Sequence, residues 1–136
     1  MCDIIEYDAD LNNLPKFEKF ISDIARNCGF ENSVIMKIQL AIEEIIVNII
    51  SYSYPEEKQG RITLSCVKQD NNALVLKIED GGVPFNLLDA ETPDITQPVE
   101  TRDIGGLGIF LTRQFMDKIE YKRENNKNIL LLTKFK

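Results

Sequence analysis

Between residues 41 and 52 the chain reads AIEEIIVNIISY, the middle of a helix that is apolar almost all the way round. Seven of these twelve residues are Ala, Ile or Val, yet Glu43, Glu44 and Asn48 sit among them. Burying a carboxylate or an amide without partners costs kilocalories, so these polar groups need a reason. Glu44 and Asn48 are i and i+4 and share a face, which Ala41 and Ser51 extend into a stripe of small and polar side chains. Such a stripe either faces solvent, as on most surface helices, or floors a ligand cavity. Glu43 points about a hundred degrees away, along the line of Leu40 and Val47.

Outward from this helix the signals alternate between periods. Upstream, Leu14, Phe17, Phe20, Ile21, Ile24 and Ala25 repeat at helical spacing, with Gly29 as the stop and residues 3–8 as a short strand before them. Asn32 or Ser33 is expected to cap the second helix, and Tyr54-Pro55 to end it. Downstream, GRITLSCVKQ and NALVLKIED alternate apolar and polar residues around Asp70-Asn71-Asn72 and predict a hairpin. An irregular stretch from Gly81 to Ile104 follows, unusually long for a compact domain and therefore read as a lid at about 86–106. GGLGIFLTRQFMDKI opens a third helix, and a second hairpin around Asn125-Asn126 closes the chain. The order predicts a single α+β domain over residues 1–136: a two-layer sandwich with a mixed, mostly antiparallel sheet and helices on one face.

Composition narrows the chemistry. The formal charge is −6 and no Lys/Arg-rich block stands out, which argues against direct binding of nucleic acid. The N-terminus lacks a signal-peptide pattern and no apolar run is long enough to span a bilayer, so a cytoplasmic protein without membrane contact is expected. The three cysteines, Cys2, Cys28 and Cys66, lack C-x-x-C spacing and read as structural thiols. There is no histidine, so catalysis through a Ser-His-Asp or Cys-His arrangement within the chain is excluded. Carboxylates, lysines, hydroxyls, amides or a bound cofactor must carry any reaction.

Two further places offer chemistry. IEDGGVPF ends a strand, and its Gly-Gly is either an ordinary turn or part of a base-binding site. In the second case an ionised Asp80 accepts a hydrogen bond from the exocyclic amine of adenine and repels the carbonyl of guanine, while Gly82 lets a flat base approach the backbone. In DIGGLGIFL, Gly105, Gly106 and Gly108 open a helix, either as a hinge or as free amides turned to an anion. This is neither a P-loop nor a G-x-G-x-x-G fingerprint.

Taken in order, E-x-x-x-N on a helix, D-x-G after a strand and G-G-x-G before a helix resemble the Bergerat ATP-binding (GHKL) fold of DNA gyrase, Hsp90, histidine kinases and MutL. The stretches EEIIVNIISYSYP, DGGVPFN and GGLGIFLTRQFMDKIEYKRENNKN resemble one branch more closely, the bacterial anti-sigma-factor serine/threonine kinases. The resemblance implies an anti-sigma factor that phosphorylates its antagonist, a STAS-type protein, with ATP and Mg²⁺, and that sequesters a sigma factor as a homodimer. It implies Glu44 as general base, Asn48 as the Mg²⁺ ligand, Asp80 at the adenine amine with Gly82 beneath the base, and Gly105, Gly106, Leu107 and Gly108 around the phosphates. Phosphoryl transfer asks mainly for position and charge compensation, so the absence of histidine is no obstacle. The chain departs from the family at Tyr52, where histidine is frequent, at Asn86, where aspartate is, and at Lys127-Asn128, where Gly-Thr is. Its first helix offers Lys16, Glu18 and Lys19 where relatives use an arginine to grip the sigma factor. The alternative from another class is a module that binds ATP only to set its affinity for a partner.

Overall fold

The computed structural model describes residues 3–54, 60–69, 72–86, 88 and 112–136, with only the backbone of residues 68 and 69. Strand β1 (Ile4–Asp8) leads through a short 3₁₀ turn (Leu11–Asn13) into α1 (Leu14–Asn27) and α2 (Asn32–Asn48), which continues as a π turn (Ile49–Ser53). Strands β2 (Arg61–Gln69) and β3 (Ala73–Asp80) follow, then β4 (Lys118–Glu124) and β5 (Lys127–Phe135).

The five strands lie in the order β1-β2-β3-β5-β4. Every pairing between them is antiparallel, so the mixed character expected of the sheet is not seen among the described residues. Two of the four pairings follow from hairpin connections: β2 runs to β3 and β4 to β5 over short turns, which can only join antiparallel neighbours. Asn125 and Asn126 both take positive φ, 53° and 63°, the backbone of a two-residue type I′ turn. In β2 the register shifts between Cys66 and Lys68, so Val67 bulges out and is exposed.

Both helices cover one face of the sheet. Phe17, Ile21, Ile24, Ile38, Ile42, Ile45 and Ile46 pack on Ile62, Leu64, Leu74, Leu76, Ile78, Leu130 and Leu132, all buried in one cluster. The other sheet face carries the alternate residues, with ion pairs such as Arg61–Glu6 (3.1 Å) and Lys77–Glu79 (3.0 Å). Helix α1 starts with Pro15 in its first turn and ends where expected. Gly29 has φ +88°, its N–H bonds to the Arg26 carbonyl and the Phe30 N–H to the Ala25 carbonyl, a Schellman ending that glycine alone enters without strain.

Two expected boundaries shift. Neither Asn32 nor Ser33 caps α2; Glu31 occupies the cap position in extended conformation with no side-chain bond, and its carbonyl accepts the first-turn N–H groups of Val34 and Ile35. Of the third helix the described residues show 112–115 as helical, and Lys118, expected at its end, begins β4. Tyr121 and Ile119 pack against the core from that strand, and this long-range pairing outweighs the local helical pattern. Among the described residues no helix is long and apolar enough to cross a membrane.

Candidate functional site

The stripe on α2 does not face solvent. Ala41 and Asn48 are buried, Glu44 is half-buried, and only Ser51, past the end of α2, is exposed. The helical turn at residues 112–115 covers its start: Thr112 Oγ1 donates to the Ala41 carbonyl at 3.5 Å, and the Lys37 ammonium sits 5.9 Å from the Phe115 ring. Asn48 donates from Nδ2 to the Glu44 carbonyl at 2.8 Å, which fixes the amide and points its oxygen away. That oxygen, Asn48 Oδ1, is buried and has no hydrogen-bond partner among the described residues. A buried acceptor left unmatched is costly and marks a place where a donor or cation fits.

Beside it, burial and then the neighbouring Glu43 carboxylate raise the Glu44 carboxyl above its ordinary range. Glu43 itself turns toward α1 and meets Glu18, whose carboxyl is raised by burial, by the Glu43 charge and by a hydrogen bond between the two. The two neighbouring glutamates therefore have different duties. Glu43 belongs to the helix–helix contact and Glu44 to the stripe.

Asp80 ends β3 nearly buried, 4% exposed. Its Oδ1 accepts from Gly82 N–H at 3.0 Å and from Asn128 Nδ2 at 3.0 Å, and neither bond falls on Oδ2. Burial raises its carboxyl above the ordinary range, while the Asn128 amide, the Gly82 N–H and the Arg123 charge pull the other way. The Ser53 hydroxyl also favours the ionised form, though its Oγ has no hydrogen-bond partner among the described residues.

The π turn brings Ser53 under the chain that leaves β3. Val83 N–H donates to the Ser53 carbonyl at 2.9 Å, and a Cβ on Gly82 would lie 2.2 Å from that same oxygen. Gly82 therefore has an internal reason to be glycine, which sequence reasoning about a base did not foresee. Tyr54 locks the junction further: its hydroxyl donates to the Arg61 carbonyl at 2.9 Å and accepts from Gly81 N–H at 2.7 Å. Tyr52 stacks on Phe85, ring centroids 5.2 Å apart.

A cleft of about 310 Å³ beside this junction, lined by Glu6, Thr63, Glu79 and Lys127 as well as Asp80, opens on the helix-free face of the sheet and includes neither Glu44 nor Asn48. Of the expected lid at 86–106, Asn86 and Leu88 are described: Leu88 N–H bonds to Asn86 Oδ1 at 2.9 Å, and Arg113 Nη2 to the Leu88 carbonyl at 2.9 Å. Gly105, Gly106, Leu107 and Gly108 lie outside the described residues. What sequence reasoning missed is Asn128, noticed only as a departure from a family pattern. The sheet register sets it directly opposite Asp80.

A family profile described as the histidine kinase-like ATPase domain matches residues 7–134. Over 115 residues the chain is 27% identical to the serine-protein kinase RsbW of Listeria monocytogenes serovar 1/2a, covering 82% of this chain and 73% of that protein. It is 31% identical over 115 residues to the serine-protein kinase RsbW of Bacillus cereus strain AH820, covering 82% and 71%. The chain belongs to the RsbW branch of the histidine kinase-like ATPases. Solved structures agree on the fold. A crystal structure of the RsbU and RsbW domains of Rv1364c from Mycobacterium tuberculosis superposes with a TM-score of 0.67 at 14% identity, covering 99% of this chain and 32% of that one. The catalytic domain of the histidine kinase ThkA superposes with a TM-score of 0.56 at 16% identity, covering 98% of each. The α+β sandwich of this RsbW-family chain is thus the one its motifs resemble.

Proposed function

We propose that this chain is an ATP- and Mg²⁺-dependent serine/threonine protein kinase that phosphorylates an anti-sigma-factor antagonist and holds a sigma factor. The observation that carries the reading is Asn48 Oδ1, a buried acceptor without a partner among the described residues, one helical turn from a half-buried carboxylate of raised pKa. Family membership supports it.

The donor set suits the metal. Among the described residues no group of three or more His, Cys, Asp or Glu side chains forms a protein cage for a cation. Mg²⁺ does not need one, because it takes phosphate oxygens and waters beside one or two protein oxygens. Asn48 Oδ1 would hold it, and bound there it would neutralise charge on the transferring phosphoryl group. Asp80, whose Oδ2 takes neither of the bonds from Gly82 and Asn128, accepts the adenine amine and rejects a purine carbonyl. Gly82 keeps the chain after Asp80 close against Ser53. In our reading Gly105, Gly106, Leu107 and Gly108 bind the phosphates within a lid at about 86–106.

Glu44 then acts on the protein substrate. It takes the proton of the partner's serine or threonine hydroxyl while that oxygen bonds to the γ-phosphorus, and the bond to the β-phosphate oxygen breaks to leave ADP. A carboxylate whose pKa is raised toward neutrality is a better base for this than a solvated one. We place the kinase as one domain over residues 1–136, a homodimer working in the cytoplasm.

The test is transfer of label from γ-labelled ATP to the antagonist. Glu44→Gln is expected to lower transfer by roughly 10²–10⁴ while sparing ATP binding. In the wild type, transfer should fall as pH drops through the raised Glu44 pKa, because the base is lost on protonation. Full transfer by the variant would remove Glu44 from the role. ATP binding without any transfer by the wild type would make the protein an ATP-responsive binding module instead.

A further inference from the structure

Asn128 is 3% exposed and uses every hydrogen-bonding position of its amide. Nδ2 donates to Asp80 Oδ1 at 3.0 Å and to the Val83 carbonyl at 2.8 Å. Oδ1 accepts from the Phe85 N–H at 3.1 Å and from the Tyr121 hydroxyl at 2.6 Å. The orientation is chemically forced. Carboxylate and carbonyl oxygens only accept and a backbone N–H only donates, so the flipped amide would set like against like at three of the four contacts.

A terminal carboxylate torsion has a broad, two-fold energy profile, so Asp80 by itself has no fixed plane. Two donors on Oδ1, from Gly82 and Asn128, supply that plane and leave Oδ2 outside both bonds. The same Asn128 amide grips both ends of the Val83–Phe85 stretch, so the chain leaving β3 is held in register with the carboxylate. From β4, Arg123 donates to the Gly82 carbonyl at 2.9 Å and lends positive charge. From the end of the π turn, the Ser53 hydroxyl and the Tyr54 phenol complete the surroundings of Asp80.

We propose that Asn128 is the positioning residue for base selection: with one amide it holds Asp80 and the Val83–Phe85 backbone so that a fixed carboxylate oxygen faces the purine and favours an exocyclic amine over a carbonyl. This rests on the nucleotide reading of the site. It assigns to β5 the control of a preference exercised by β3.

The experiment is calorimetric titration of Mg-ATP and Mg-GTP into wild type, Asn128→Asp and Asn128→Ser over a range of pH, on protein shown to be folded by circular dichroism. Asn128→Asp keeps the shape and the acceptor for Phe85 and Tyr121 but turns a carboxylate toward Asp80. Near neutral pH it is expected to weaken ATP about ten- to a hundredfold and to narrow the ATP:GTP ratio, the range expected for losing a hydrogen bond to a charged group. Its ATP affinity should then rise as pH falls, because a proton shared between two facing carboxyls restores a donor. The wild type should do the reverse, since Asp80 must stay ionised. Asn128→Ser, too short to reach Asp80, Val83 and Phe85 together, should narrow the ratio as well. Leu74→Ala, a buried cavity at the far end of β3, controls for lost stability and should leave ratio and slope alone. Wild-type ratio and wild-type pH slope in both Asn128 variants would overturn the inference. A wild type that binds neither nucleotide would overturn the nucleotide reading itself, and this inference with it.

Discussion

Replacing Asp80 by asparagine separates what the carboxylate does for the fold from what it does for a ligand. The amide oxygen of Asp80→Asn can keep both bonds now made by Oδ1, to Gly82 N–H and Asn128 Nδ2, each 3.0 Å. The substitution also removes a buried charge whose pKa is raised chiefly by desolvation. The unliganded variant should therefore melt no lower than wild type. Toward the ligand the change is opposite, because an NH₂ donor replaces the second acceptor, Oδ2. Losing a hydrogen bond to a charged acceptor is worth about 1.5–3 kcal/mol, or roughly 12- to 160-fold in affinity.

For ATP at a hundred times its dissociation constant, the wild type gains about 2.7 kcal/mol of stability. A chain of 136 residues unfolds with an entropy that converts this to about 9 °C in Tm. In the variant at the same concentration the shift should fall to about 1–5 °C. Mg-GTP should gain what Mg-ATP loses, since the new donor can meet the guanine carbonyl. Thermal unfolding with each nucleotide reads all three quantities. An unchanged ATP shift would refute Asp80 as the acceptor that reads the base. An unliganded variant that melts well below wild type would refute its charge as a cost to the fold.

The remaining expectations concern separate parts of the molecule. Asn48→Ala should weaken Mg-ATP more than metal-free ATP, measured by titration with and without Mg²⁺; equal losses would take Asn48 away from the metal. Glu18→Gln should raise Tm at neutral pH, because it removes the carboxyl that burial and the Glu43 charge push upward. The sign follows from linkage: a carboxyl whose folded pKa is raised costs stability as pH rises through that pKa, so the gain should shrink toward acid pH, where the wild type is protonated too. A gain independent of pH would mean the contact is not electrostatic. Gly82→Ala places a methyl 2.2 Å from the Ser53 carbonyl oxygen and should destabilise by about 1–3 kcal/mol in a urea titration. A neutral result would show that the junction can open without cost.

The sequence showed the elements because their signals are local. Alternation marked β2 and β3, Gly29 marked the end of α1, and Asn125-Asn126 marked the last turn. It also showed that Glu44 and Asn48 share a face, since helical spacing settles that without a partner. Which way the face turned was not legible, because burial of Ala41 and Asn48 depends on the distant turn at residues 112–115 and on the sheet beneath. Asn128 was illegible for the same reason in a sharper form. Its meaning comes from pairing with Asp80 across β3 and β5, 48 residues apart in the chain, and no local pattern encodes that register. The π turn was missed because its i+5 bonding, with Tyr54 N–H on the Ile49 carbonyl at 3.3 Å, is a response to packing by residues that would equally suit an α-helix.

That π turn has a consequence for how the chain can vary. A π turn carries one residue more than the α-helix needs to make the same circuit, and is in effect an insertion absorbed without breaking the helix. Deleting one residue from 50–52 would let the helix close in α geometry, with the i+5 bond from Tyr54 to Ile49 becoming i+4, and would leave Ser53 close to its present angle around the axis. The Ser53 carbonyl would stay beside Val83 and the Tyr54 hydroxyl beside Gly81 and Arg61. In a set of relatives aligned on Asn48 and Asp80, a single-residue gap should therefore be tolerated within this segment while its Ser53-Tyr54 end keeps its place.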